Sequence, residues 1–114
     1  MLINEGEKFH IITRRVFEAD TRRHFIGQVV SASGSVVRLR GKIVIFDAIN
    51  GEYVQKPELR DTIMDLAESG YIVNTIPPEI GLDDLRYTTN KGGKLILTDE
   101  KGFSLYINEF GINR

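Results

Sequence analysis

A chain of 114 residues with no cysteine is sized for a single domain and has no disulfide framework or thiolate chemistry to draw on. Its formal net charge of -1 argues against a strongly basic nucleic-acid module. No apolar run approaches the roughly 20 residues of a membrane helix.

The opening MLINEGEKFH lacks a basic start and a long apolar stretch, so a secretory signal is not expected. Together with the absence of cysteine, this predicts a cytoplasmic protein. Residues 7–18, EKFHIITRRVFE, are rich in β-favouring residues and predict a first strand. Ala19 to Arg22 is the connection, and 23–32 resumes as a second strand. Gly27 inside it predicts a bulge or a close backbone approach. Ser33-Gly34-Ser35 reads as a turn. The longest strand follows over 36–47, with a bend at Gly41. Asn50-Gly51 predicts a hairpin pairing the segment ending at Asp47 with EYVQK.

Residues 57–69, PELRDTIMDLAES, predict the one helix. Pro57 suits a first helical position, Leu59, Ile63 and Leu66 recur at helical spacing, and Gly70 fits a helix stop. Tyr71 to Ile76 is a further strand, stopped by Pro77-Pro78. Residues 77–93 read as a loop with one helical turn near 81–85 and a flexible joint at Gly92-Gly93. The last element is a hairpin of 94–98 and 103–110 across Asp99–Gly102, with Leu95, Leu97, Phe103, Leu105 and Ile107 inward. The expected fold is one mainly β (β-rich α+β) domain over 1–114. It would be a small barrel or rolled antiparallel sheet of about seven strands with one short covering helix.

Charge is placed unevenly. Residues 1–42 hold 8 Lys or Arg against 4 Asp or Glu, and residues 43–114 hold 7 against 12. The two parts are of opposite sign, which would let one copy complement another. Within the basic part Arg38, Arg40 and Lys42 alternate on one strand and share a face, which Arg14 could reach from the neighbouring strand. These four form the candidate binding face. Val37, Leu39 and Ile43 should fill the opposite, buried face.

Other clusters carry less chemistry. Ser31 to Ser35 holds a glycine but lacks phosphate-loop spacing, so it reads as a turn. His10 and His24, the only histidines, fall on adjacent strands and read as structural or surface residues. Asp47, Asp83, Asp84 and Asp99 lack calcium-loop spacing. No cofactor or metal site and no catalytic constellation is expected.

Phe25-Ile26-Gly27-Gln28-Val29 resembles the opening of the first motif of Sm-like RNA-binding proteins. Leu39-Arg40-Gly41 with its following apolar run resembles their second. That resemblance implies a small RNA-binding barrel. The chain departs from the pattern in three ways. Ser31, Ala32 and Ser33 stand where base-reading Asp and Asn belong, the two motifs lie much closer together than in that family, and no opening helix is evident.

The leading expectation is a non-catalytic interaction or assembly module that binds itself or another protein. The first alternative is a nucleic-acid-binding barrel using Arg38–Lys42. The second is a ligand-binding barrel or enzyme with dispersed site residues.

Overall fold

The structure is a computed structural model that describes residues 2–13, 23–47, 49–68 and 70–107. Residues 14–18 of the expected first strand, the 19–22 connection and 108–110 of the expected last strand lie outside these, and Arg14 with them. The described residues form nine strands: β1 Lys8–Thr13, β2 Arg23–Ser33, β3 Val36–Asp47, β4 Glu52–Gln55, β5 Arg60–Asp65, β6 Tyr71–Ile76, β7 Arg86–Thr89, β8 Leu95–Thr98 and β9 Ser104–Tyr106. Among the described residues the one helical element is a 3₁₀ turn at Leu82–Asp84. The mainly β class is therefore as the sequence predicts, and the chain divides into two compact units, Met1–Pro78 and Glu79–Arg114.

The first unit is a six-stranded antiparallel sheet, curled into a half-barrel, in the order β4-β3-β2-β1-β6 with β5 also on β3. β3 is long enough to hold two partners on one edge: β4 against Val44–Asp47 and β5 against Val36–Gly41. Between them Lys56–Leu59 face only Lys42 and Ile43, a bulge of two extra residues. Pro57 has no N–H to give to a ladder, so pairing lapses there. The Lys56 N–H still reaches the Ile43 carbonyl at 2.8 Å.

Gly27 and Gly41 are cross-strand partners. A Cβ on Gly41 would lie 1.9 Å from the Ile26 carbonyl oxygen, and one on Gly27 would lie 2.5 Å from the Phe25 ring. Only glycine allows β2 and β3 to approach this closely, and such glycines are where sheets curl. The close approach predicted at Gly27 is present, while the irregularity in β2 falls at Val30, between Val29 and Ser31. The turns expected at Gly34 and Gly51 hold both residues at positive φ, 63° and 70°. Asp47 closes the second by accepting from the Ile49 and Asn50 N–H groups.

Alternation places Phe9 and Ile11, Phe25 and Val29, and Val37 and Leu39 on one face, where they form the core. Ile3, Ile43, Met64, Leu66, Tyr71 and Val73 pack against it. Each fully buried aliphatic or aromatic side chain contributes about 1.5–3 kcal/mol, so this face is the main drive for the sheet. Val37 and Leu39 are buried as expected, and Ile43 is half-buried. The opposite face carries a second buried group: His10, His24, Ile26, Val44 and Ile76.

The helix predicted over 57–69 is absent; β5 occupies its centre. Leu59 and Ile63, expected to be buried, are 63% and 58% exposed. Thr62, Met64 and Leu66 turn inward instead, opposite or beside Leu39 and Val37. Residues 60–66 carry a period of 2 as well as one of 3.6. The unpaired edge of β3 selects the former, because a strand there satisfies backbone groups and buries Met64 together.

In the second unit β7, β8 and β9 form a three-stranded antiparallel sheet. The β8–β9 hairpin is as predicted, with Leu97 and Ile107 buried and Leu95, Phe103 and Leu105 partly so. Residues 86–89, expected in a loop, are a strand, and Asn90–Gly93 is its hairpin turn rather than a joint. The Arg-Tyr-Thr-Thr run is β-favouring and too short to show a period. The helical turn near 81–85 is present as the 3₁₀ turn.

Candidate functional site

Strands β2, β3 and β5 present an exposed surface on the side of the sheet away from the core. It is built in rows. Asp65 lies opposite Val36, then Ser31, Arg38 and Ile63 stand side by side, then Gln28, Arg40 and Asp61. Lys42 follows, opposite Ile26 and half-buried. Arg38 and Arg40 therefore share an exposed face with Lys42 beyond them, while Arg14 lies outside the described residues.

The face is not a basic stripe. Arg40 Nε donates to Asp61 Oδ1 at 2.9 Å, and Nη2 lies 3.5 Å from Oδ2. This pair raises the Arg40 pKa, and the same hydrogen bond holds the Asp61 carboxyl below its ordinary value, with Arg38 adding to the effect. Asp65 is also held low, first by the Ser35 hydroxyl, which donates to Oδ1 at 2.7 Å, then by the Ala67 N–H at 3.0 Å. Its Oδ2 has no partner among the described residues. Ile63 and Val36 stand among these charges at 58% and 42% exposure.

Sequence reasoning found the cations of this face but missed Asp61, Ile63 and Asp65, because it placed them on a helix. The signal was the alternation of Asp61, Ile63 and Asp65 with Thr62, Met64 and Leu66. The acidic partner of Arg40, Asp61, comes from a neighbouring strand of the same chain.

The histidines meet inside the molecule. His10 and His24 lie diagonally across β1 and β2 with ring centroids 5.4 Å apart, and His24 stacks on Tyr53 at 4.9 Å. Asn74 Nδ2 lies 3.3 Å from His10 Nδ1. Donation by the amide keeps that nitrogen bare and the ring neutral. Burial, with the His24 charge second, lowers the His10 pKa to about 3. The ring is fully buried and packed between His24 and Asn74.

Three of the four acidic candidates have partners in turns or loops. Asp47 closes its turn, Asp99 accepts from the Lys101 and Phe103 N–H groups, and Asp84 lies 3.6 Å from Lys101 Nζ. Among the described residues no group of three His, Asp or Glu converges as a cation would need. Ser35 and Asp65 make a hydroxyl–carboxylate pair with no imidazole between them, which leaves the hydroxyl unactivated. No helix among the described residues is long and apolar enough to cross a membrane. No protein-family description, curated protein or solved structure matches this chain.

Proposed function

We propose that this chain is a non-catalytic interaction module that self-associates through the exposed β2–β3–β5 face. The observation that carries this reading is the mixture on that face. Arg38 and the second oxygen of Asp65 flank exposed Ile63, beside Arg40 and Asp61, which already neutralise each other. A two-fold axis near Ile63 would set Arg38 of one copy over Asp65 of the next and bury both isoleucines. An isologous interface needs this kind of self-complementary patch.

Sedimentation equilibrium of the wild type and of Ile63→Asp tests the reading. Concentration-dependent dimerisation that the substitution abolishes is the expected result. Two profiles of a monomer at every concentration refute it.

A second reading, nucleic-acid binding, draws on the shared face of Arg38, Arg40 and Lys42. It expects a salt-dependent retention on single-stranded nucleic acid that Arg40→Glu flattens. Asp61 and Asp65 weigh against it, since they place negative charge where phosphates would sit. A cytoplasmic setting belongs to the proposal and rests on a chain without cysteine.

A further inference from the structure

The core side of the same sheet holds a hollow of about 200 Å³, lined by Thr13, Arg23, Phe25, Ile43, Arg60 and Thr62 together with Asp61 and Met64. Its formation follows from the register. Arg60 is the first residue after the Lys56–Leu59 bulge and lies opposite Gly41, which in turn lies opposite Gly27. The two glycines contribute no side chain to the inner face beside Arg60, and the Phe25 ring lies over Gly27, where it forms part of the floor. Phe25, Ile43 and Met64 supply an apolar floor, and Thr13 and Thr62 supply hydroxyls.

Among the described residues the free charge lining the hollow is of one sign. Arg23 and Arg60 are both exposed, and among the described residues neither has an ion-pair partner. The Asp61 carboxylate belongs to the opposite face, where Arg40 engages it. Two guanidinium groups beside an apolar floor are arranged to take a ligand with one anionic end and one apolar end. Guanidinium binds carboxylate through two parallel hydrogen bonds, which orients such a ligand as well as attracting it. The size is that of one ring: a cavity of about 150 Å³ is enough for benzene.

We infer that this hollow binds a small aromatic carboxylate, with the ring on Phe25, Ile43 and Met64 and the carboxylate held by Arg23 and Arg60. The site lies on the opposite face from the surface proposed for self-association, so either can fail without the other.

The test is a titration of the full-length, isotope-labelled protein, followed through its amide resonances. The probes are benzoate, its neutral isostere benzamide, and acetate. Benzoate should give saturable shifts centred on β2, β3 and β5 residues around the hollow. Benzamide and acetate should each bind at least about tenfold more weakly, as expected when a charge-assisted pair or the ring's apolar contact is lost. Arg60→Gln and Arg23→Gln should each weaken benzoate by a similar factor, whereas Lys91→Gln, an exposed cation remote in sequence from the lining residues, should not. Both arginines are exposed, so the variants should keep the wild-type amide spectrum away from the hollow. The inference is overturned if benzoate gives no saturable shift, if benzamide or acetate matches it, or if Lys91→Gln weakens it as much as the arginine variants do.

Discussion

Acidifying the protein from pH 7 to pH 4.5 should cost it stability through one ring, His10. The side chain is fully buried on β1, in edge contact with His24 and beside Asn74. Burial lowers its pKa from 6.5 to about 3. Between those two values the unfolded chain binds a proton that the native chain refuses, so stability rises with pH across the window and falls on acidification. At pH 4.5 the unfolded ring is protonated and the native ring is still neutral. Two pH units below 6.5 correspond to about 2–3 kcal/mol, a large share of the stability of a small domain. Urea unfolding at a series of pH values gives the slope, and His10→Gln should remove close to one proton's worth of it while retaining an acceptor for Asn74. The difference between wild type and variant isolates the ring. The reasoning fails if the His10 ring titrates by NMR near 6.5 in the native state, or if His10→Gln leaves the slope unchanged.

Gly41→Ala places a methyl group against the Ile26 carbonyl and should cost about 3 kcal/mol or more, read as a drop in urea midpoint; a change under about 0.5 kcal/mol would mean the two strands can part freely. The β5 register predicts opposite outcomes for neighbours. In dilute protein Met64→Ser should lose about 1–3 kcal/mol and Ile63→Ser less than about 0.5, and the reverse order would restore the helical reading. In the second unit the Thr98 hydroxyl donates to the Phe103 carbonyl and accepts from the Glu100 N–H. Thr98→Val should cost about 1–3 kcal/mol and speed amide exchange in the β8–β9 hairpin, whereas unchanged exchange would remove that role.

What the sequence disclosed follows the range of the interactions. The hairpins at Gly34, Gly51 and Asp99–Gly102 were legible because turn residues act locally. The shared face of Arg38, Arg40 and Lys42 was legible because alternation along one strand needs no partner. The close approach at Gly27 was legible as one of two outcomes, while its cause, Gly41 directly opposite, depends on a register that only the paired strands define. Residues 57–69 were misread because Pro57, the spacing of Leu59, Ile63 and Leu66, and Gly70 all fit a helix. The decisive term, the open edge of β3, lies some 20 residues away in sequence. That misreading concealed the candidate site, since Asp61, Ile63 and Asp65 join Arg38 and Arg40 only when β5 is a strand. The hollow was hidden for a related reason: Arg60 joins Arg23 on the inner face only when 60–65 is a strand on β3.

The central claim, self-association through the β2–β3–β5 face, is tested most directly by exchanging the sign of one contact. Arg38→Glu and Asp65→Lys should each be monomeric alone in analytical ultracentrifugation, because a symmetric dimer of either sets like charges together at both of its contacts. Mixed in equal amounts, the two variants should form a heterodimer. There the two substituted side chains meet each other with opposite charge, and the unchanged Arg38 of one variant meets the unchanged Asp65 of the other. That rescue, lost on raising the salt concentration, is what the account predicts. Wild-type sedimentation as a monomer at all concentrations, or dimers that persist unchanged in both single variants, would contradict it.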